Sequence, residues 1–268
     1  MKQISLLGCG WLGFPLAKSL LENGFVVKGS TTSVAKISTL KEAGIIPFLI
    51  HIEEKKIVGE MASFLENSSL LIIDIPPKLR GNSSALSMTF VSKIKSLLPF
   101  IENSTIEKIL FVSSTSVYAD DNSFISEATQ PQSETESGKQ LLLAEQLLQA
   151  HRQTTVIRFG GLIGDDRHPI HFLSGRNNIE NPAAPINLIH QTDCIGIIHR
   201  IIETNCWNET FNAVAPYHPT RKEYYTRKAI DLNLAIPLFD ESKPSVGKTI
   251  LSEKLIEKLN YTFKLTQL

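Results

Sequence analysis

The chain lacks the marks of several large protein classes. Only three of its 268 residues are cysteines, Cys9, Cys194 and Cys206. None belongs to a Cys-x-x-Cys pair, so a disulfide-stapled framework is excluded and a reducing, cytoplasmic compartment is expected. No stretch approaches the ~18 consecutive apolar residues of a membrane-spanning helix. Leu6-Leu7-Gly8-Cys9 behind Lys2 has the look of a bacterial lipoprotein signal, but the apolar segment before Cys9 is far shorter than the ~7–15 residues that export requires. Charge of one sign is missing as well: 27 Lys+Arg balance 27 Asp+Glu, a net charge of +0. With no long basic run, binding driven by a nucleic-acid backbone is not expected. Repeats and low-complexity tracts are absent. What remains is ordinary globular composition, 42% hydrophobic and 20% charged, over a length that suits one large lobe with a smaller one attached.

Through the first 165 or so positions, short apolar runs alternate with amphipathic stretches, the pattern of parallel strands joined by crossover helices. Strands are expected at Gln3–Leu7, Phe25–Lys28, Pro47–Ile52, Leu70–Ile75, Lys108–Ser113 and Thr155–Phe159. Helices are expected at about Pro15–Asn23, Val34–Ala43, Met88–Leu98 and Glu136–Ala150, with Gly24 and Gly44 closing the first two. Residues 119–135 read as a polar surface loop, and 164–185 as loop with little regular structure. Helices return at 220–233, behind the capping-box spelling Thr220-x-x-Glu223, and at 252–260. The fold expected is α/β: a doubly wound parallel sheet over residues 1–163 that binds a dinucleotide. Residues 164–268 form a smaller substrate lobe, some of whose elements return to the sheet.

Gly8-Cys9-Gly10-Trp11-Leu12-Gly13 spells G-x-G-x-x-G between the first strand and the first helix. In that context Gly8 permits a tight turn and Gly10 removes a side chain so that amides can approach a pyrophosphate. Gly13 lets the helix pack close to the sheet, and the helix N-terminus faces the anion. About 20 residues on, an acidic side chain would hold an adenosine ribose. The second strand instead leads into Thr31-Thr32-Ser33, with Lys36 nearby. Hydroxyls and an ammonium can donate to a 2′-phosphate, so the loop leans towards NADP over NAD, although no arginine stands there.

Phe111-Val112-Ser113-Ser114-Thr115-Ser116-Val117-Tyr118 is a buried strand running into hydroxyls and an aromatic. Here the sequence resembles the extended and atypical branches of the short-chain dehydrogenase/reductase superfamily. Arg158-Phe159-Gly160-Gly161-Leu162-Ile163-Gly164, Ile186-Asn187-Leu188-Ile189-His190 with Asp193, and Phe211-Asn212-Ala213-Val214 extend the likeness over most of the chain. It is closest to the bacterial group of YeeZ-like NAD-dependent epimerase/dehydratase proteins. The resemblance implies an oxidoreductase or epimerase/dehydratase acting on a small polar molecule, a nucleotide sugar among the options. Ser114 would hold the substrate oxygen in a pocket with Thr115, Tyr118 and His190. The cofactor would lie along Gly8, Gly10, Trp11, Leu12, Gly13, Thr31, Thr32 and Ser33, then Ile75, Pro76, Pro77 and Ser113, and Phe159, Gly160 and Gly161. A homodimer follows by analogy only.

The family's reactive pair is Tyr-x-x-x-Lys at a helix start, two side chains on one face. The matching stretch here is Thr135-Glu136-Ser137-Gly138-Lys139: Lys139 is present, to bind the nicotinamide ribose, and Thr135 replaces the tyrosine. A threonine is a far poorer proton donor than a phenol, and losing a positioned acid typically forfeits about 10²–10⁴ in rate. Three readings follow. Tyr118 supplies the proton, although in the resembled family that residue is a pocket wall; or Ser114 and water sustain a slow reaction; or catalysis is gone and the protein is a dinucleotide-binding sensor or scaffold. Metal is not expected, because His168 and His171 have no companion Cys or carboxylate triad in sequence. Cys9 is expected to pack under the cofactor, and Tyr224 and Tyr225 to sit in the core.

Overall fold

The computed structural model describes residues 2–77 and 89–266. Seven parallel strands form its central sheet: β1 Gln3–Leu7, β2 Val26–Thr31, β3 Ile46–Leu49, β4 Leu70–Ile73, β5 Lys108–Ser114, β6 Gln153–Phe159 and β7 Thr210–Ala213. Their order is β7-β6-β5-β4-β1-β2-β3. The chain therefore winds outward from β1 to one edge, returns, and winds to the other, leaving a crevice at the carboxyl ends of β1 and β4 where the direction reverses. The α/β doubly wound architecture read from the sequence is the one observed.

Helices α1 Gly13–Glu22, α2 Lys36–Glu42, α3 Met61–Leu65, α4 Thr89–Glu102 and α5 Glu136–Gln149 connect the first strands, and α6 Ile170–Leu173, α7 Gln191–Thr204, α8 Arg221–Asp231 and α9 Glu253–Leu259 follow. Side chains of a strand point alternately to the two faces. Ile4 and Leu6 of β1, with Leu70 and Ile72 of β4, therefore meet α1, α7 and α9 in one buried cluster. Leu7, Leu71, Ile73, Ile109 and Phe111 meet α3, α4 and α5 in another. Both faces are covered, which is why these strands read as continuous apolar runs.

Several boundaries differ from those expected. β2 extends three residues beyond Lys28 to Thr31, because its parallel pairing with β3 continues to Thr31 opposite Leu49. The expected third strand breaks after Leu49, and His51–Ile52 instead pairs antiparallel with Ile57–Val58. The expected helix from Met88 begins at Thr89, Met88 lying outside the described residues, and it continues through Pro99 to Glu102. Inside the 119–135 loop, Phe124–Ile125 pairs with Thr249–Ile250. The expected loop from 164 to 185 contains the single helical turn α6.

Helix α7 and strand β7 escape a reading by periodicity. Three of the five residues on α7's inward face are isoleucine, a strand-favouring residue, yet the helix is capped by His190 and buries Asp193, Cys194, Ile197, Ile198 and Ile201. β7 pairs with β6 at the sheet edge and α7 packs beside α1, so residues after 163 contribute directly to the sheet and to its cover. The Asp193 carboxylate, fully buried, accepts from the Tyr261 hydroxyl at 2.8 Å and from the Lys264 and Leu265 amides at 2.8 and 3.2 Å, fastening the C-terminal segment to this helix.

Candidate functional site

The turn after β1 is built by its glycines. Gly8 has φ +110°, and a Cβ there would lie 2.2 Å from the Asp74 carbonyl oxygen; at Gly13 a Cβ would lie 2.0 Å from the Gly8 oxygen. Any side chain at either position would open the turn. Gly10 differs, because a Cβ there would meet nothing within 4 Å. Its missing side chain serves the space in front of the turn and not the packing behind it. The turn is held by the Gly8 amide donating to Ser30 Oγ at 2.9 Å and the Cys9 amide donating to the Ser30 carbonyl at 2.8 Å. No side chain caps α1 at Leu12; of the amides that open the helix, Gly13 turns to the Asp74 carboxyl and Phe14 donates to the Gly10 carbonyl at 3.0 Å, so the positive end of the helix faces the crevice.

Three cavities join into one groove along the carboxyl ends of the strands. The first, of 320 Å³, runs from Gly8 and Gly10 past Thr31, Thr32, Ser33 and Lys36 to Lys93. Its neighbour, of 330 Å³, shares Gly10, Asp74, Ile75 and Pro76 with it and adds Trp11, Leu12, Pro77, Ser113 and Ser114. A third, of 400 Å³, takes over at Ser113 and Ser114 and continues past Thr115, Phe159, Gly160 and Gly161 to Arg167 and Lys248. Most residues expected to hold a cofactor thus lie on one continuous wall. Gly13 lies behind it, at the first turn of α1.

Ser114 sits at the bend of the groove. It ends β5 and caps a single 3₁₀ turn, Thr115–Val117, where its Oγ accepts the Ser116 amide at 3.1 Å. That leaves the hydroxyl hydrogen free to donate to an oxygen placed in the cavity. Beneath it, Ser113 Oγ donates to Glu145 at 2.5 Å, and Glu145 is held by Arg158 at 2.6 Å. Both charged side chains are buried and mutually paired, the condition for keeping them there.

Tyr118 does not reach the groove. It is 3% exposed, its hydroxyl accepts from Arg158 Nη1 at 2.6 Å and donates to Asn212 Oδ1 at 3.0 Å, and the Arg158 guanidinium covers its ring. Burial pushes its phenol pKa up, with Arg158 working against that. It is neither pocket wall nor acid, but part of the buried scaffold under β5.

The Thr135 to Lys139 register also differs from expectation. Thr135 is the N-cap of α5, its Oγ1 accepting the Gly138 amide at 3.1 Å, and Lys139 is exposed. Neither lines the groove. The α5 residue that does is Leu141, beside Ser113 and Ser114. One helical turn before it on the same stripe is Ser137. The α5 stripe that meets the groove at Leu141 therefore carries serine and leucine, two positions on from Thr135 and Lys139. The buried Glu145 a turn beyond Leu141 fixes this register by its bond to Arg158.

His190 caps α7, its Nδ1 accepting the Thr192 amide at 3.2 Å, and lies outside the three cavities. His168 bonds the Tyr224 hydroxyl at 2.8 Å, and burial lowers its pKa to about 4. Tyr224 and Tyr225 are core residues, 0% and 6% exposed. Cys9 is buried under the turn, its thiol pushed up to about 12 by burial and then by the charge of Asp74. Among the described residues no cluster of His, Cys, Asp or Glu has the arrangement of a metal site, and no helix is long and apolar enough to cross a membrane.

Sequence reasoning missed Asp74, the residue after β4. It lines both the first and the second cavity, at the mouth of the glycine turn. Burial raises its carboxyl to about 7, a bond from the Gly13 amide opposing the rise. Lys93, Arg167 and Lys248 were missed too. The four stand in loops or on helix faces where no spacing rule connects them, and only the folded sheet brings them to one groove.

No family model matches the chain. The Escherichia coli K12 protein YeeZ is 30% identical over 268 residues, spanning 98% of this chain and 96% of its own. Among solved structures, UDP-glucuronic acid 4-epimerase from Bacillus cereus, in complex with NAD, superimposes with a TM-score of 0.82 at 16% identity, over 99% of this chain and 92% of that one. A short-chain dehydrogenase/reductase superfamily protein from Agrobacterium tumefaciens with bound NAD gives a TM-score of 0.79 at 15% identity, over 98% and 93%.

Proposed function

Because the chain belongs to the family of Escherichia coli YeeZ and has the fold of the short-chain dehydrogenase/reductase superfamily, we propose that it binds a pyridine dinucleotide along the groove and acts on a small polar substrate at Ser114. The observation that carries this is the open position at Gly10, in the glycine turn that leads from β1 into α1. A glycine turn opening onto a helix N-terminus suits a diphosphate. When bound, the dinucleotide supplies a hydride acceptor or donor.

The remaining roles belong to this chain. In the first cavity, Thr31, Thr32 and Ser33 offer hydroxyls, and Lys36 and Lys93 offer ammonium groups. That set suits a 2′-phosphate and favours NADP over NAD. At the bend, the free Ser114 proton holds a substrate carbonyl or hydroxyl oxygen. Beyond it, Arg167 and Lys248 line the third cavity, so the substrate favoured is polar and anion-bearing. A sugar nucleotide, the substrate class named for the Bacillus cereus epimerase, meets that description.

A second reading is favoured by one observation: Leu141 and Ser137 occupy the helix stripe where a lysine and a tyrosine would assist proton transfer. On that reading the protein binds the dinucleotide without turnover. Calorimetry with NADPH and NADH, followed by hydride exchange between the bound nucleotide and carbonyl acceptors, separates the two. Exchange that Ser114→Ala abolishes supports the enzyme. Exchange seen only in the Ser137→Tyr, Leu141→Lys double variant supports the binding protein. Absence of binding by either nucleotide refutes both.

A further inference from the structure

Asp74 sits where an acidic side chain should be least welcome. It borders the cavities on both sides of the glycine turn, its backbone lies against Gly8, and its carboxyl takes a hydrogen bond from the Gly13 amide in the first turn of α1. The proposed diphosphate would come to these same amides. A carboxylate there competes with the phosphates for donors and repels their charge. A neutral carboxyl group does neither, and its O–H can donate to a phosphate oxygen.

We propose that dinucleotide binding in this groove is coupled to proton uptake by Asp74: the diphosphate is accepted beside the neutral acid and opposed by the carboxylate. This rests on the groove being the dinucleotide site. The charged and titratable groups around Asp74 come from five elements. Cys9 lies in the turn, Lys36 on α2 and Lys93 on α4. Arg167 comes from the loop before α6, and Cys194 on α7 interacts with Asp74 through its charge. Burial holds both thiols above their ordinary range. The cations flank the groove without an ion pair to Asp74 among the described residues. The carboxyl is therefore left to titrate near neutrality, the range in which its proton can be gained on binding.

The test is calorimetry of NAD and NADH, which carry no 2′-phosphate to titrate, with the native protein from about pH 6 to about pH 9, in buffers of different ionisation enthalpy. Linkage predicts affinity falling by up to ~10-fold per pH unit above neutrality, with net uptake of up to about one proton per nucleotide bound. Asp74→Asn should bind with an affinity independent of pH and, at the alkaline end, at least ~10-fold more tightly than native. A flat native profile without proton uptake overturns the inference and leaves the dinucleotide reading intact. A slope that survives in Asp74→Asn overturns it as well. Binding of neither nucleotide at any pH, with NADPH failing to bind as well, overturns both.

Discussion

The same carboxyl group predicts how stability responds to pH when no nucleotide is present. Asp74 is raised in the folded protein from 3.8 to about 7, so the native state holds its proton over a range in which the unfolded chain has released it. Stability from this group is fully present below about pH 4, is lost as pH rises towards 7, and changes no further above that. A shift of about three pH units corresponds to ~4 kcal/mol at 1.36 kcal/mol per unit. The side chain is only partly buried, and screening by the water in the groove brings the expected figure to about 2 kcal/mol. Asp74→Asn keeps the shape and removes the charge. Urea unfolding followed by tryptophan fluorescence should find the variant about 2 kcal/mol more stable than native at pH 8, the advantage vanishing towards pH 4. A difference that is the same at every pH, or a less stable variant at pH 8, would refute an electrostatic cost at this position.

Three further expectations concern the turn, the scaffold and the adenosine end. Gly10→Ala should fold with a melting temperature close to native, since a Cβ meets nothing there, yet lose nucleotide binding by calorimetry; Gly13→Ala, with its Cβ 2.0 Å from the Gly8 oxygen, should be destabilised. Glu145→Gln leaves Arg158 buried without its counter-charge and should cost about 3–5 kcal/mol in urea unfolding. Lys36→Glu should weaken NADPH binding by at least ~10-fold while changing NADH by less than ~3-fold, the ratio of the two dissociation constants being the readout.

The sheet was legible because strands covered on both faces must carry continuous apolar runs, as β4 does throughout and β5 does from Ile109 to Val112. The glycine turn was legible because each glycine answers a separate steric demand at a fixed spacing. The helix after the polar loop shows where such reading fails. Thr135 and Lys139 stand four apart, as an i, i+4 pair must, but spacing gives the relation of two side chains to each other and not the direction in which both face. That direction is set by Glu145 pairing with Arg158 across the sheet, a contact between residues remote from the motif. Tyr118 was misjudged for a related reason: an aromatic at a strand end turns inward or outward according to its partners, and Arg158 and Asn212 lie 40 and 94 residues away. Asp74 carried no local signal at all, since an acid after an apolar strand is ordinary until the neighbouring turn is known.

Trp11 gives the groove one more property. Its indole nitrogen donates to Asp166 at 2.8 Å, the Arg167 guanidinium covers its ring, and its carbonyl takes the Gln191 side chain at 2.8 Å. One residue of the opening turn is thereby joined to Arg167, which lines the far cavity, and to Gln191 at the start of α7. The near and far ends of the groove thus share one aromatic ring as common support, Trp11 on the turn side and Arg167 on the other.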